Sequence, residues 1–153
     1  MFIALGADHA GFELKEALKP MLDARGVRWR DFGTTSTTSV DYPDFASAVA
    51  GAVASGAADR GILVCGSGAG MAIAANKVAG IRAASILDTD EGRLAREHND
   101  INVLAIGSRR TPAAEAELIL DVFLSTPFAG GRHAQRVQKI QQLESRSLRG
   151  DQS

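Results

Sequence analysis

Five short apolar runs alternate with stretches of helical periodicity, and this alternation constrains the fold more than any other feature. The runs are Phe2 to Leu5, Val27 to Phe32, Gly61 to Cys65, Ile81 to Leu87 and Asn102 to Ile106. They show little apolar–polar alternation, as expected for strands covered by helices on both faces. Repeated βα units predict a parallel sheet. The expected architecture is α/β: a three-layer α/β/α sandwich around a five-stranded parallel sheet.

The helical stretches fit this plan. Phe12, Leu14, Leu18, Met21 and Leu22 form a stripe over 12–25, with Pro20 expected to kink or break it. Pro43 suits the first turn of a second helix carrying Phe45, Val49 and Val53. Further helices are predicted over 69–78, over 89–97 with Asp90 and Glu91 near its start, over 112–124, and over 132–145 after Gly130-Gly131. The chain has 153 residues, which suits one domain. That domain is expected to span 1–146, with a flexible tail over 147–153.

Charge and composition exclude several classes of function. The net charge is −1, so no broad pull toward nucleic acid or membrane is implied. No apolar run is long enough to span a bilayer. Met1 to Leu5 reads as a first strand and not as a signal peptide. The single cysteine excludes an intrachain disulfide and a cysteine-based zinc cluster. A cytoplasmic protein is expected.

In a parallel α/β sheet, ligands sit at the carboxyl ends of the strands. Those ends collect Asp8-His9, Gly33, the stretch Cys65 to Gly70, Asp88 and Gly107-Ser108-Arg109. The richest is Cys65-Gly66-Ser67-Gly68-Ala69-Gly70-Met71, which reads as strand, tight loop and helix. Such a loop turns backbone N–H groups toward a ligand. The helix start favours a thiolate, the form of cysteine that does chemistry. Each signal also has a plainer reading. Glycines let strand and helix pack, and a lone cysteine is often a small buried hydrophobe. The dinucleotide fingerprint fails here, because its third position falls on Met71 or Ile73, although Asp88 lies about where a ribose-binding acid would. Arg132 and Arg136 are spaced i, i+4, which suits a solvated face or a two-pronged phosphate clamp.

Several ordered blocks then combine. They are Gly6-Ala7-Asp8-His9-Ala10-Gly11-Phe12, Asp41-Tyr42-Pro43, the Cys65 to Met71 loop, Ala74-Ala75-Asn76-Lys77, Gly80-Ile81-Arg82-Ala83, His98-Asn99-Asp100-Ile101-Asn102, Gly107-Ser108-Arg109 and Gly130-Gly131-Arg132-His133. Together they resemble the ribose 5-phosphate isomerase B family, which includes galactose 6-phosphate and allose 6-phosphate isomerases. The resemblance covers about residues 3 to 145 and implies a Rossmann-like sheet. It implies an aldose–ketose isomerase of sugar phosphates without cofactor or metal, working as a homodimer or dimer of dimers with active sites between subunits.

By this resemblance Cys65 is the base that moves a proton between C1 and C2. Ser67 and the amides of Gly66, Gly68 and Gly70 would stabilise the enediolate oxygens. His98, with Asp8 nearby, would assist ring opening, and Asn99 would bind the reacting end. His9, Arg132 and Arg136 would hold the phosphate, with Arg109 a further candidate, and Tyr42 would line the pocket. Ser67 stands where many relatives have threonine, and either supplies a hydroxyl. Met71 stands where a cysteine-lacking subgroup places a glutamate, so this chain is of the thiol type. Ser85 to Arg93 matches no usable pattern. The expected reaction interconverts D-ribose 5-phosphate and D-ribulose 5-phosphate. The alternatives are a hexose 6-phosphate isomerase, a non-catalytic sugar-phosphate-binding protein, a cysteine hydrolase using Cys65 and His98, and a dinucleotide enzyme.

Overall fold

The computed structural model describes residues 1–150. Each predicted run pairs as a strand, and each amphipathic stretch returns over the sheet. In chain order the elements are β1 (Phe2–Ala7), α1 (Phe12–Ala24), β2 (Arg28–Asp31), α2 (Tyr42–Ala54), β3 (Arg60–Cys65), α3 (Ala69–Ala75), β4 (Ala83–Ser85), α4 (Thr89–Asn99), β5 (Val103–Gly107), α5 (Ala113–Ser125) and α6 (Arg132–Arg149). The sheet order is β2-β1-β3-β5-β4, and every pair is parallel. The direction of chain growth reverses between β1 and β3. Ala7 lies opposite Val64 there, and Cys65 lies opposite Gly107 on the other side. A reversal of this kind opens a crevice at the carboxyl ends of the strands.

Side chains alternate across the sheet with period two. Ile3, Leu5, Ile62, Val64, Leu104 and Ile106 face α1, α4 and α5, where Leu18, Leu22 and Phe123 are fully buried. Each such side chain contributes about 1.5–3 kcal/mol relative to exposure. Ala4, Leu63, Cys65, Val103 and Ala105 face α2 and α3. The result is the three-layer α/β/α sandwich, with α6 laid against α4.

Several boundaries differ from the sequence reading, each for a local reason. β2 and β4 are the edge strands. With a neighbour on one side only, their pairing stops short of the 27–32 and 81–87 runs. α3 ends at Ala75 because the Asn76 side chain leaves the helix for β4. Its Oδ1 accepts from Ala83 N–H at 2.7 Å and its Nδ2 donates to Ala83 C=O at 2.9 Å. α1 continues through Pro20 without a break. Pro20 is on the exposed side, so the bond it cannot make is lost to water. α6 runs on to Arg149 and is capped by Gly150 at φ 71°. The first part of the expected tail is therefore helical, and 151–153 lie outside the described residues. Among the described residues no helix is long and apolar enough to cross a membrane.

Candidate functional site

The strand β3 delivers Cys65 to the crevice, and the loop after it turns at once into α3. Gly68 makes that turn with φ 78°, a left-handed conformation that favours glycine. A Cβ at Gly68 would also meet the Ser85 hydroxyl at 2.6 Å. The turn directs the Gly68 N–H at Cys65 Sγ, 3.2 Å away. The sulfur is thus held from within its own loop, and the thiol is buried at 5% exposure. Ser67 is exposed beside it. Ala69, Gly70 and Met71 form the first turn of α3, whose amides have no partner within the helix. α3 is seven residues long, shorter than the 69–78 expected. The donors at this site are therefore individual amides more than a long helix dipole.

The neighbouring strand ends complete a recess of about 220 Å³ lined by Asp8, His9, Tyr42, Cys65, Gly66, Ser67, Gly70 and Arg109. Asp8 is buried, and its Oδ1 accepts from Gly11 N–H at 3.0 Å. His9 Nδ1 accepts from Val40 N–H at 3.2 Å, so Nε2 is the nitrogen left to donate when the ring is neutral. Tyr42, the first residue of α2, lies over Gly70, where a Cβ would be 2.8 Å from its ring. The Arg109 guanidinium lies over Gly66, where a Cβ would be 2.8 Å from its Cζ. The loop carrying Arg109 is tied to the cradle by Ser108 N–H to Cys65 C=O at 2.8 Å and Arg109 N–H to Gly66 C=O at 3.1 Å. The Ser108 hydroxyl adds a bond to Ala10 C=O at 2.8 Å. Larger grooves run along α6, at about 620 Å³, and along α4, at about 650 Å³. The small recess is the one that brings a thiol, a carboxylate, an imidazole and a guanidinium together.

The remaining candidates gather elsewhere. α4 starts at the carboxyl edge of the sheet and runs back toward the amino edge, so its last turn lies far from Cys65. Asn102, three residues after Asn99, accepts from Gly61 N–H at 2.8 Å at the start of β3. The four residue steps from Gly61 to Cys65 span about 13 Å. His98 and Asn99 therefore face the opposite end of the molecule from the thiol. α6 begins there too, with Ala129 N–H donating to Glu97 C=O at 3.0 Å. His98 and His133 stack with ring centroids 4.1 Å apart and planes within 10°. Arg132 and Arg136 project from the first turns of α6 and are exposed. His133 is held below the ordinary imidazole range, first by loss of water around it, then by His98, Arg132 and Arg136, with Glu97 opposing. Behind this cluster Asp100 adopts φ 47° and is braced by Arg82 Nη2 at 3.1 Å and Arg96 Nη1 at 2.8 Å.

The chain as a whole has relatives among known proteins. A family model described as Ribose/Galactose Isomerase matches residues 3–140. The chain belongs to the ribose/galactose isomerase family. It is 50% identical to ribose-5-phosphate isomerase B of Escherichia coli over 144 residues, covering 94% of this chain and 97% of that one. Its fold is similar to that of ribose-5-phosphate isomerase B from Clostridium thermocellum, with a TM-score of 0.95 at 50% identity, covering 96% and 99% of the two chains. It is also similar to the Mycoplasma genitalium ribose-5-phosphate isomerase B crystallised with bound ribulose-5-phosphate, with a TM-score of 0.91 at 39% identity, covering 94% and 96%.

Within one chain of this isomerase, the sequence-predicted residues thus fall into two sets. Asp8, His9, Tyr42, Cys65, Gly66, Ser67, Gly70 and Arg109 share the recess, and Gly68 shapes it. His98, Asn99, Arg132 and Arg136 lie at the far end, so the expected neighbourhood of His98 and Asp8 does not form within one chain. Two polar residues stand out that the sequence reading gave no role, His133 and Lys15. His133 could have been suspected from its place beside Arg132 after Gly130-Gly131. Lys15 carries no such signal. Among the described residues no group of three or more His, Cys, Asp or Glu is arranged to hold a metal ion.

Proposed function

We propose that this isomerase interconverts D-ribose 5-phosphate and D-ribulose 5-phosphate through a cis-enediolate, with Cys65 as the base. The observation that carries the reading is the buried thiol with the Gly68 amide on its sulfur, in one recess with Ser67, Asp8, His9 and Arg109. In the forward direction the Cys65 thiolate takes the proton from C2 of the open-chain aldose. The electron pair passes into the C1–C2 bond, and the negative charge collects on O1, beside the O2 hydroxyl. Ser67 and the loop amides stabilise those oxygens. The proton is returned to C1, while a second proton moves from O2 to O1. Nothing is gained or lost overall, so the reaction needs no redox partner. A positioned base contributes about 10²–10⁴-fold, and each oxyanion donor about 10²–10³-fold when probed by removal.

Ring opening and phosphate binding call on the far set. We infer that a second copy of the chain, in a homodimer or dimer of dimers, brings its His98, Asn99, Arg132 and Arg136 over the Cys65 recess. What supports this is the span of about 13 Å along β3, which one chain cannot close. His98 with Asp8 then serves the furanose ring, and Asn99 the reacting end. His9, Arg109 and the arginine pair hold the phosphate. These cationic and donor groups offset the dianion's charge, which would otherwise oppose ionisation of the thiol. The enzyme acts in the cytoplasm, where a lone thiol stays reduced.

The test is turnover of ribose 5-phosphate by purified protein, without cofactor and with chelator present. Ribulose 5-phosphate formation is the readout, beside a Cys65→Ala control. Formation by wild type with a loss of at least about 100-fold in the variant is expected. Turnover of hexose 6-phosphates alone would move the substrate assignment. Near-normal turnover by Cys65→Ala would remove the thiol mechanism.

A further inference from the structure

We propose that Lys15 is a positioning residue for the sugar-phosphate site: its buried ammonium pins the exit of β2, and through it the loop that locks His9 and delivers Tyr42. The proposal rests on the isomerase reading of the Cys65 recess. Lys15 lies on α1 and its side chain is 0% exposed. A buried charge is costly unless it is paired and hydrogen-bonded. Lys15 Nζ meets the Asp31 carboxylate, Glu16 Oε1 at 3.0 Å and the Thr34 carbonyl at 2.9 Å.

Asp31 does not depend on Lys15. Lys19 Nζ reaches Asp31 Oδ2 at 2.8 Å, and Gly33 N–H donates to Oδ1 at 2.7 Å. The bond that only Lys15 supplies is the one to Thr34. Thr34 is buried, and its own N–H donates to Ala7 C=O at 2.9 Å, one residue before Asp8. Gly33 is pressed into the same place, where a Cβ would lie 2.5 Å from Ala7 N and 3.0 Å from Lys15 Cδ. From Thr34 the chain crosses five exposed residues, 35–39, and returns at Val40 to hydrogen-bond His9 Nδ1. Two residues later Tyr42 begins α2 and closes the recess over Gly70. The loop is thus anchored at both ends. Thr34 is held by Lys15 on its carbonyl and by Ala7 on its amide, and Val40 is held by His9. Losing Lys15 leaves the Thr34 end on its amide bond alone, and the loosened loop holds the imidazole less firmly.

Lys15→Met tests this. Methionine fills the space without a charge, and Asp31 keeps Lys19 and Gly33, so the fold is expected to persist. KM for ribose 5-phosphate should rise about tenfold while kcat changes less than about threefold. Alkylation of Cys65 should proceed at the wild-type rate. Asp31→Asn removes the ion pair but leaves Lys15 on Thr34, so its KM should stay within about twofold. Nitrogen NMR should show His9 of the wild type with Nδ1 unprotonated, and a mixture of tautomers in Lys15→Met. An unchanged KM in Lys15→Met would overturn the proposal. So would equal rises in both variants, which would mark a merely structural role. A wild-type His9 carrying its proton on Nδ1 would overturn it even if Lys15→Met did not fold. Absence of wild-type turnover would remove the isomerase reading instead, while the nitrogen spectra would still decide the pin.

Discussion

The Cys65 recess and the α4–α6 end differ in how they are built. Backbone makes the recess. The sulfur takes an amide from its own loop, Asp8 takes the Gly11 amide, and His9 takes the Val40 amide. The far end is built of side chains, with two stacked imidazoles, two exposed arginines and an Asp100 turn braced by Arg82 and Arg96. A backbone-built site keeps its shape without a ligand, as catalysis by fixed donors requires. A side-chain-built surface of exposed cations suits capture of an anion, or docking onto another surface. The contrast teaches a division of labour. On the proposed reading, one chain holds the base and its oxyanion donors rigidly, and a second copy brings exposed side chains to the substrate.

The largest effect should come from breaking each half in turn. Cys65→Ala should lose about 10²–10⁴ in kcat, and His98→Ala should also be strongly impaired, with both variants folded. Mixing the two variants then sharpens the comparison. If sites are shared, random reassociation in equal amounts makes half the dimers hybrids. Each hybrid has one site with both defects and one with neither, so about a quarter of wild-type activity returns. Activity no higher than the mean of the two variants would place both residues in one chain's site.

A smaller effect separates binding from chemistry at the far end. Arg136→Ala should raise KM for the sugar phosphate about tenfold and lower kcat much less, because a lost charge-assisted bond to phosphate weakens ground state and transition state alike. Steady-state kinetics decide it. An unchanged KM would take Arg136 out of the phosphate site and leave it a solvated surface residue.

The rigid half was the more legible in sequence. Apolar runs stop at Gly6, Gly33, Cys65 and Gly107, and the rule that ligands bind at strand ends leads from them to Asp8, His9, Cys65, Ser67 and Arg109. The strand order was not legible, because it depends on which helix face packs where. The edge strands β2 and β4 were overextended, since the hydrophobic run persists where pairing has ended. α6 was cut short because its apolar register stops at Leu143, while the helix continues through Glu144, Ser145, Arg146, Ser147, Leu148 and Arg149 to Gly150. Lys15 was invisible. It sits beside the apolar stripe of α1, and its bonds to Asp31 and Thr34 come from the exit of β2, far from it in sequence.

The smallest expected effect is a pH dependence that distinguishes the two halves by stability. His133 carries its lowered folded value through lost hydration and the nearby His98, Arg132 and Arg136. The unfolded value of an imidazole is about 6.5. A folded value below that means the unfolded chain binds the proton more readily. The stability tied to His133 is therefore present in full above about pH 6.5 and is lost as the pH falls through the folded value. Melting temperature should drop between pH 7.5 and 5.5, and His133→Gln should flatten that drop while leaving Cys65 alkylation unchanged. In a shared site the added phosphate of a substrate would draw the proton onto the cluster and oppose the drop. If His133→Gln leaves the slope as it was, the pH dependence of stability arises elsewhere in the molecule.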